Sequence, residues 1–538
     1  MTDVENRTYF GLDFSTQQLK GVIVNEQLEI LHETNVVFDS ALPEFRTHNG
    51  VVRQDKQTVT APVLMWTKAL DLLMDKLRVS GADFSQVAAL SGTRPTSCNN
   101  VVFQQHGTVY WQSGAEETLK TLDPDSFLHT QLASAFSVSS SPVWMDSSTT
   151  QQCRQLEAAV GGPQKLAEIT GSRAYERFSG AQIMKIIQTK PSTYANTERI
   201  SLVSSFACSL FLGKYAPIDW SDGSGMNLLD IHSKQWCPAC LKACADDLAT
   251  KLGEPVCSYS DLGPVSEYWV ERHGFDPNCR VITFTGDNPA SLAGMQLHTG
   301  DIAVSLGTSD TLFLSLTQPT YLSEGHILVN PVKSDAYMAL LCFKNGSLTR
   351  ERIRASTSEG SWDQFNNHLN NTPRGNFGNF GLYYDAQEII PFVQGDFRWD
   401  RANNAVTKFN NDTEVRALLE GQFISKRAHA EDMGFVIGKD TRVLATGGAS
   451  SNIHILQVLA DCFNTNVYTL EAANSAVLGA AYQAKHGLLH GAGSSFSDIT
   501  KCLPQPVLAC SPYADADQVY RPMMERYRKF IQEIQKSI

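Results

Sequence analysis

The sequence predicts an α/β protein built as two similar halves, and three observations carry that expectation. Its 538 residues exceed a single hydrophobic core and divide into two domains of roughly 250 residues each. A hairpin-like segment at residues 9–25, YFGLDFSTQQLKGVIVN, returns from residue 301 as DIAVSLGTSDTLFLSL. Downstream of the second copy, helical and strand patterns alternate as βαβα units do.

Residues 9–39 read as three successive strands, with turns at Ser15–Gln18 and Asn25–Gln27. A long helix is expected over 55–78, where Val59, Val63, Trp66, Leu70 and Leu73 share a face. Strands follow at 87–92 and near 101–111, then helices around 149–160, 180–189 and 198–212. The strand RVITFTG (280–286) breaks at Asp287. Asn288 as N-cap and Pro289 as first helical residue then open the helix PASLAGM. The second half shows the hairpin at 301–316, a strand at 337–343 and a helix at 413–432. A strand at 442–448, a helix at 452–463, the strand NVYTL and a helix from Ser475 to about His486 complete it. The polar stretch 355–412, rich in glycine and asparagine, reads as long surface loops. A three-strand meander followed by alternating helices and strands, twice over, is the actin-like (ribonuclease H-like) layout. Hexokinase and the heat-shock ATPases share it, with two domains around a central cleft.

Charge and composition narrow the function. With 44 basic and 56 acidic residues the formal charge is −12, which disfavours nucleic acid and anionic membranes as partners. The segment MTDVENRTYFG has no basic n-region or apolar h-region. No apolar run approaches the ~20 residues needed to span a bilayer, so a soluble, cytoplasmic protein is expected. Of 12 cysteines, Cys237, Cys240 and Cys244 lie close together in CPACLKAC. No second pair with C-x-x-C spacing completes a zinc site, and the cluster reads as the start of an amphipathic helix.

Several groups could carry chemistry. Each repeated turn holds a glycine, hydroxyls and an acid: Gly11, Asp13, Ser15 and Thr16, then Gly307, Thr308, Ser309 and Asp310. Such turns present backbone N–H groups and hydroxyls to a phosphate chain. Asp287 sits where a buried strand gives way to a helix, the usual place for reactive groups in open α/β sheets. A carboxylate there can accept the proton of a hydroxyl attacking a phosphate. Asp13 could hold a hydrated magnesium beside the phosphates. In TGGASSN (446–452), two glycines allow close backbone approach and Asn452 is offered to a base or ribose. The chain has no GxxxxGK[ST], HRDxxxxN or GxGxxG after a strand, so P-loop, protein-kinase and dinucleotide readings fail.

At this point the chain resembles the FGGY carbohydrate kinases, nearly end to end. The resemblance rests on DFSTQQLK (13–20), VVFDSALPEF (36–45), QQHG (104–107), VWMDSST (143–149), TGSRAYERFSG (170–180) and DWSDGSGMN (219–227). In the second half it rests on TGDNPASLAGM (285–295), SLGTSDT (305–311), CFKNGSL (342–348), ATGGASSN (445–452) and ANSAVLGAAY (473–482). It implies an N-terminal domain, 1–290, that binds sugar and supplies the base, and a C-terminal domain, 291–538, that binds ATP. It implies ATP- and Mg2+-dependent phosphorylation of D-xylulose to D-xylulose 5-phosphate, by a monomer or homodimer. Asp287 would be the base, with Asn288 beside it on the sugar, and Gln105, His106 and Arg177 on sugar hydroxyls. Gly307, Thr308 and Ser309 would cradle phosphates, Gly448, Ala449 and Asn452 the adenosine, and Trp362 the base. Asp146, after Trp144, resembles the family's tryptophan–acid pair in the sugar pocket, with Ser147 and Ser148 replacing the usual basic residue. Lys20 and Arg350 find no role and are expected at the surface.

One departure stands out. TRPTSCNNVVF (93–103) intervenes between Gly92 and Gln104, where the family pattern runs straight on. As a surface bulge it is cheap. If it displaces His106, the chain is instead an impaired kinase or a nucleotide-binding regulator. Another ketose or a polyol is the remaining alternative substrate.

Overall fold

The computed structural model describes residues 7–94, 107–322, 324–438, 440–470 and 474–537. Two seven-stranded sheets organise them, and their orders match over six strands. In the first, Thr8–Phe14, Gln18–Val24 and Ile30–Val37 form an antiparallel meander. Thr8–Phe14 also pairs in parallel with Val87–Arg94, which pairs in parallel with Arg280–Ile282, and Asp261–Pro264 closes the edge. In the second, Ile302–Leu306, Asp310–Leu316 and Tyr337–Phe343 make the meander. Arg442–Thr446 and Asn466–Thr469 add the parallel strands, and Val507–Cys510 closes that edge. The second sheet adds His326–Val329 beyond its meander. This is the duplicated actin-like arrangement that the two hairpins announced.

The period-2 alternation of a strand assigns its faces. Phe10, Leu12 and Phe14 enter the cluster with Leu70, Leu73 and Met74 of the helix Val63–Val79. Tyr9 points the other way, into a cluster with Val477, Ala481 and Ala484 of the helix Ser475–His490. That helix lies in sequence between two strands of the second sheet, Asn466–Thr469 and Val507–Cys510, yet packs on the first. The helix Asp287–Gly294 does the reverse: it follows the first sheet, and Leu292 packs with Ala303, Phe313 and Leu444 of the second. The two helices cross between the sheets at a distance only glycine permits. A Cβ on Gly479 would lie 1.8 Å from the Ala290 carbonyl oxygen, and one on Gly294 1.9 Å from that of Ser475. A boundary drawn at residue 290 therefore falls inside a helix that belongs to both halves.

Several local expectations give way to the structure. The helix expected over 55–78 is a strand, Val59–Pro62, followed by the helix Val63–Val79. Thr58, Val59 and Thr60 favour extended backbone, and Pro62 stands at the N-cap. Likewise 198–212 divides into the strand Thr197–Leu202 and the helix Val203–Leu212. Asp287 is already the first residue of its helix and Gly286 the N-cap, so Asn288 is not the cap. The stretch 355–412 is ordered rather than looped: Trp362–Asn370 is a helix, and Phe380–Tyr384 pairs with Gly395–Trp399. Trp399 stacks on Phe530 of the C-terminal helix, ring centroids 4.0 Å apart, which anchors that hairpin. Among the described residues no helix is long and apolar enough to cross a membrane.

Candidate active site

Three parallel strands of the first sheet end side by side. Register places Asp13 opposite Thr93, and Thr93 opposite Thr285 of the short strand Thr285–Gly286. Asp13 and Thr285 are thus two strand spacings apart, about 10 Å, at the carboxyl edge where open α/β sheets bind ligands. Asp13 shares a face with Tyr9 and Gly11, and Gly11 meets Val477 of the crossing helix, so this face turns toward the second half.

Asp287 follows directly, at the N-terminus of its helix, only 2% exposed. Its Oδ1 accepts the Asn288 backbone N–H at 2.7 Å, and the helix dipole favours its charge. Asn288 is 1% exposed and its Nδ2 has no protein partner among the described residues, as suits an amide meant for a ligand hydroxyl. The strand in front of Asp287 is held by Asp219. Its Oδ2 accepts from the hydroxyls of Thr285 (2.8 Å) and Ser258 (2.5 Å), and its carboxylate also caps the helix Trp220–Ser224. Burial, then the neighbouring Asp222 charge, pushes Asp219 up to about 7. Asp222 lies against Gly286, where a Cβ would come within 2.9 Å of its Oδ1.

Asp13 accepts from the Ser15 hydroxyl at Oδ2 (3.0 Å), while its buried Oδ1 has no protein partner among the described residues. Burial pushes its carboxyl up to about 7, against the Ser15 hydrogen bond and the Lys20 charge. A buried, half-satisfied carboxylate fits a hydrated cation, so Asp13 is the residue that would hold magnesium beside a phosphate chain. Lys20 is not a surface charge: it bonds Glu33 at 2.6 Å and Asn474 at 2.5 Å, tying this hairpin to the start of the crossing helix.

The sugar side gathers around Thr16. Trp144 Nε1 donates to the Thr16 hydroxyl at 3.3 Å, and the Arg177 guanidinium lies 5.6 Å from the Trp144 ring centre. Asp146, expected to line the pocket, spends both oxygens on the protein. It accepts from the backbone of Val59 (3.0 Å) and Ser148 (3.0 Å), from the Ser148 hydroxyl and from Gln182 (2.9 Å). These bonds tie the tryptophan loop to the strand Val59–Pro62 and to Gln182. Gln105, His106 and most of the extra segment, from Pro95 on, lie outside the described residues. Thr93 and Arg94 continue the strand Val87–Arg94.

The second half encloses a cavity of about 720 Å³, of nucleotide size. Gly307, Thr308, Trp362, Gly448, Ala449 and Asn452 all line it, whereas Ser309 does not. Its floor is the second hairpin turn, and the helix Ser347–Thr357 starts there, with the Ser347 N–H on the Gly307 carbonyl at 2.8 Å. Beneath that turn Asp310 and Arg350 form a pair with no solvent exposure, bonded at 2.8 and 2.9 Å, and Lys426 adds a third charge at 2.9 Å. Burial raises an acid, but Arg350 and Lys426 together hold Asp310 below its ordinary value. Arg350 is therefore a core residue, contrary to the surface position expected for it, and Asp310 braces the turn instead of facing a ligand.

Models of the FGGY family of carbohydrate kinases match residues 137–294 with the N-terminal domain and 302–488 with the C-terminal domain. The chain belongs to that family. It is 56% identical over 529 residues, 98% of this chain and 97% of the relative, to a rat (Rattus norvegicus) protein named xylulose kinase. Against xylulose kinase 2 of Arabidopsis thaliana it is 46% identical over 507 residues, 91% of this chain and 89% of the relative. A solved xylulose kinase from Rhodospirillum rubrum superposes with a TM-score of 0.79 at 14% identity, covering 98% of this chain and 99% of that one, a likeness of fold alone.

Sequence reasoning missed three parts of this carbohydrate kinase. Asp219 opens the segment DWSDGSGMN (219–227), but only the fold shows that it grips Thr285. Lys426 lies on the helix Asn411–Asp432, which is charged in sequence yet buried almost all round. Asn366, four residues after Trp362 and so on its helical face, also lines the nucleotide cavity.

Proposed function

We propose that this kinase transfers the γ-phosphoryl group of ATP to the terminal hydroxyl of D-xylulose, giving D-xylulose 5-phosphate. The observation that carries the reading is a buried carboxylate at a helix start, Asp287, combined with a nucleotide-sized cavity in the other half. The 1–290 region binds sugar, with Asn288, Arg177, Gln105 and His106 on its hydroxyls. The 291–538 region binds ATP, with Gly307, Thr308 and Ser309 at the phosphates and Trp362, Gly448, Ala449 and Asn452 at the adenosine. Asp287 accepts the hydroxyl proton as the sugar oxygen bonds to the γ-phosphorus, and the bond to the β–γ bridging oxygen breaks to release ADP. Asp13 would hold magnesium, which would supply charge neutralisation at the phosphates. Base and nucleotide cavity lie on different halves, so closure precedes transfer and keeps water from competing for ATP. The enzyme acts in the cytoplasm on a free sugar.

A coupled ADP-release assay over D-xylulose, D-ribulose, other ketoses and glycerol tests this. D-xylulose is expected to give the highest kcat/KM by tenfold or more. ADP release that no sugar accelerates overturns the kinase reading and favours a nucleotide-binding regulator; a higher kcat/KM with another sugar reassigns the substrate.

A further inference from the structure

The nucleotide end of the cavity contains a polarity that the fold itself sets. Asn452 is the N-cap of the helix Ile453–Phe463, and its side-chain oxygen accepts the backbone N–H groups of His454 (3.0 Å) and Ile455 (3.3 Å). Backbone N–H groups only donate, so this end of the amide is the oxygen and the other end is Nδ2. Asn452 Nδ2 in turn donates to Asn366 Oδ1 at 3.0 Å. The Asn366 amide is thereby oriented too: its oxygen is engaged and its Nδ2, a pure donor, is the end left for a ligand. Asn366 lines the cavity one helical turn from Trp362. The Trp362 ring is backed by the Arg354 guanidinium, 4.5 Å from its centre, and Arg354 does not line the cavity. Ile453, 49% exposed, and Ala449 add apolar surface to the same cavity. An apolar surface beside one oriented donor suits a planar base with a ring-nitrogen acceptor at its edge.

We infer that Asn366 selects the nucleobase, donating from Nδ2 to a ring nitrogen of adenine, with the helix cap at Asn452 fixing which end of its amide faces the base. This rests on the kinase reading above, and the test separates the two. Asn366→Asp keeps an acceptor for Asn452 Nδ2 but replaces the donor with a negatively charged acceptor. Asn366→Ala removes donor and acceptor alike. If Asn366 reads the base, aspartate is the worse change: KM for ATP rises about fivefold in Asn366→Ala, the worth of one neutral hydrogen bond, and by at least tenfold in Asn366→Asp. KM for D-xylulose and kcat at saturating ATP stay within twofold in both, and the melting temperatures of the unliganded variants confirm folding. If Asn366 only braces Asn452, the order reverses, with Asn366→Asp near wild type and Asn366→Ala impaired. An ATP KM raised no more by Asn366→Asp than by Asn366→Ala overturns the inference while leaving the kinase reading intact. A wild-type protein that phosphorylates no sugar fails the kinase reading instead, and calorimetric ATP affinities of the same two variants then judge Asn366 by the same order.

Discussion

The two hairpin turns share a backbone design but treat their acids in opposite ways. In the first, Asp13 lies one residue before the end of its strand, paired across the ladder with Lys20, and keeps one buried oxygen without a protein partner among the described residues. Its carboxyl is pushed up to about 7 by burial. In the second, Asp310 begins the returning strand and is enclosed by Arg350 and Lys426, which hold it low. A phosphate chain resting on backbone N–H groups is repelled by a bare carboxylate beneath it, and Arg350 and Lys426 offset the charge of Asp310 under the second turn. The first turn keeps its acid available, as a site beside a hydrated cation requires. Duplication supplied the frame twice; the charges around each turn divide the labour.

The largest effect expected of any single change falls on the first half. Asp287→Asn keeps the shape of the side chain and its backbone bond but cannot take a proton. kcat should drop by about 10²–10⁴-fold, the usual range for a general base, with ATP affinity within twofold. A purified variant that keeps more than about a tenth of wild-type kcat would show that Asp287 is not the base.

The next test breaks the second turn from below. Arg350→Met removes one cation from a fully buried cluster and leaves Asp310 with Lys426 alone. Removing one partner of a buried ion pair costs about 3–5 kcal/mol. Chemical denaturation should show a loss of that size, together with weaker ATP binding, because Arg350 also reaches the Gly307 carbonyl at 3.4 Å. A loss under about 1 kcal/mol, the worth of an exposed pair, would return Arg350 to the surface role its sequence suggested.

Arg350 shows why the sequence was legible in some places and not in others. Strand and helix periods, the two turns and the strand-to-helix break at Asp287 are local signals, so the duplicated fold and the glycine-bearing turns at Gly307 and Gly448 that line the cavity could be read directly. Burial of a charge is not local. Arg350 and Lys426 are 76 residues apart and meet only because the helix Asn411–Asp432 packs behind the second hairpin. The crossing helices escape sequence reading for a similar reason: a cut at residue 290 follows chain order, while Leu292 and Val477 each pack on the sheet of the other half. Asp146 was expected in the sugar pocket beside Trp144, but a motif cannot tell that Val59, Ser148 and Gln182 of the protein itself donate to its carboxylate.

Asp13 offers a test of opposite sign. Its folded value is raised above that of an unfolded aspartate, so the folded state holds the extra proton, and stability falls as pH climbs from about 4 through 7. In metal-free buffer Asp13→Asn should gain on wild type over that window and level off above it. The gain is at most about 4 kcal/mol, for a rise of some three units at 1.36 kcal/mol each. Asp310→Asn should gain nothing over the same window, since a carboxyl held low stays ionised throughout. A difference between Asp13→Asn and wild type that does not change between pH 5 and 8 would mean that Asp13 is already compensated, and the contrast between the turns would collapse.

The smallest effect sharpens the role of the second turn itself. A Cβ on Gly307 would meet only the Ser309 carbonyl oxygen, at 3.1 Å, so Gly307→Val adds bulk with little disturbance of the fold. Gly447 is no such probe, because its φ of +84° and the Leu306 backbone 2.7 Å from a Cβ make any side chain there a folding defect. Since Gly307 lines the cavity, the valine should hold phosphates away from the backbone N–H groups and weaken ATP binding roughly tenfold, about 1.4 kcal/mol. D-xylulose binding without nucleotide should be unchanged, because the residues proposed for the sugar belong to the first half. Calorimetry with each ligand alone decides: equal loss of both would mean a distorted second half, whereas loss of ATP alone assigns the phosphates to this turn.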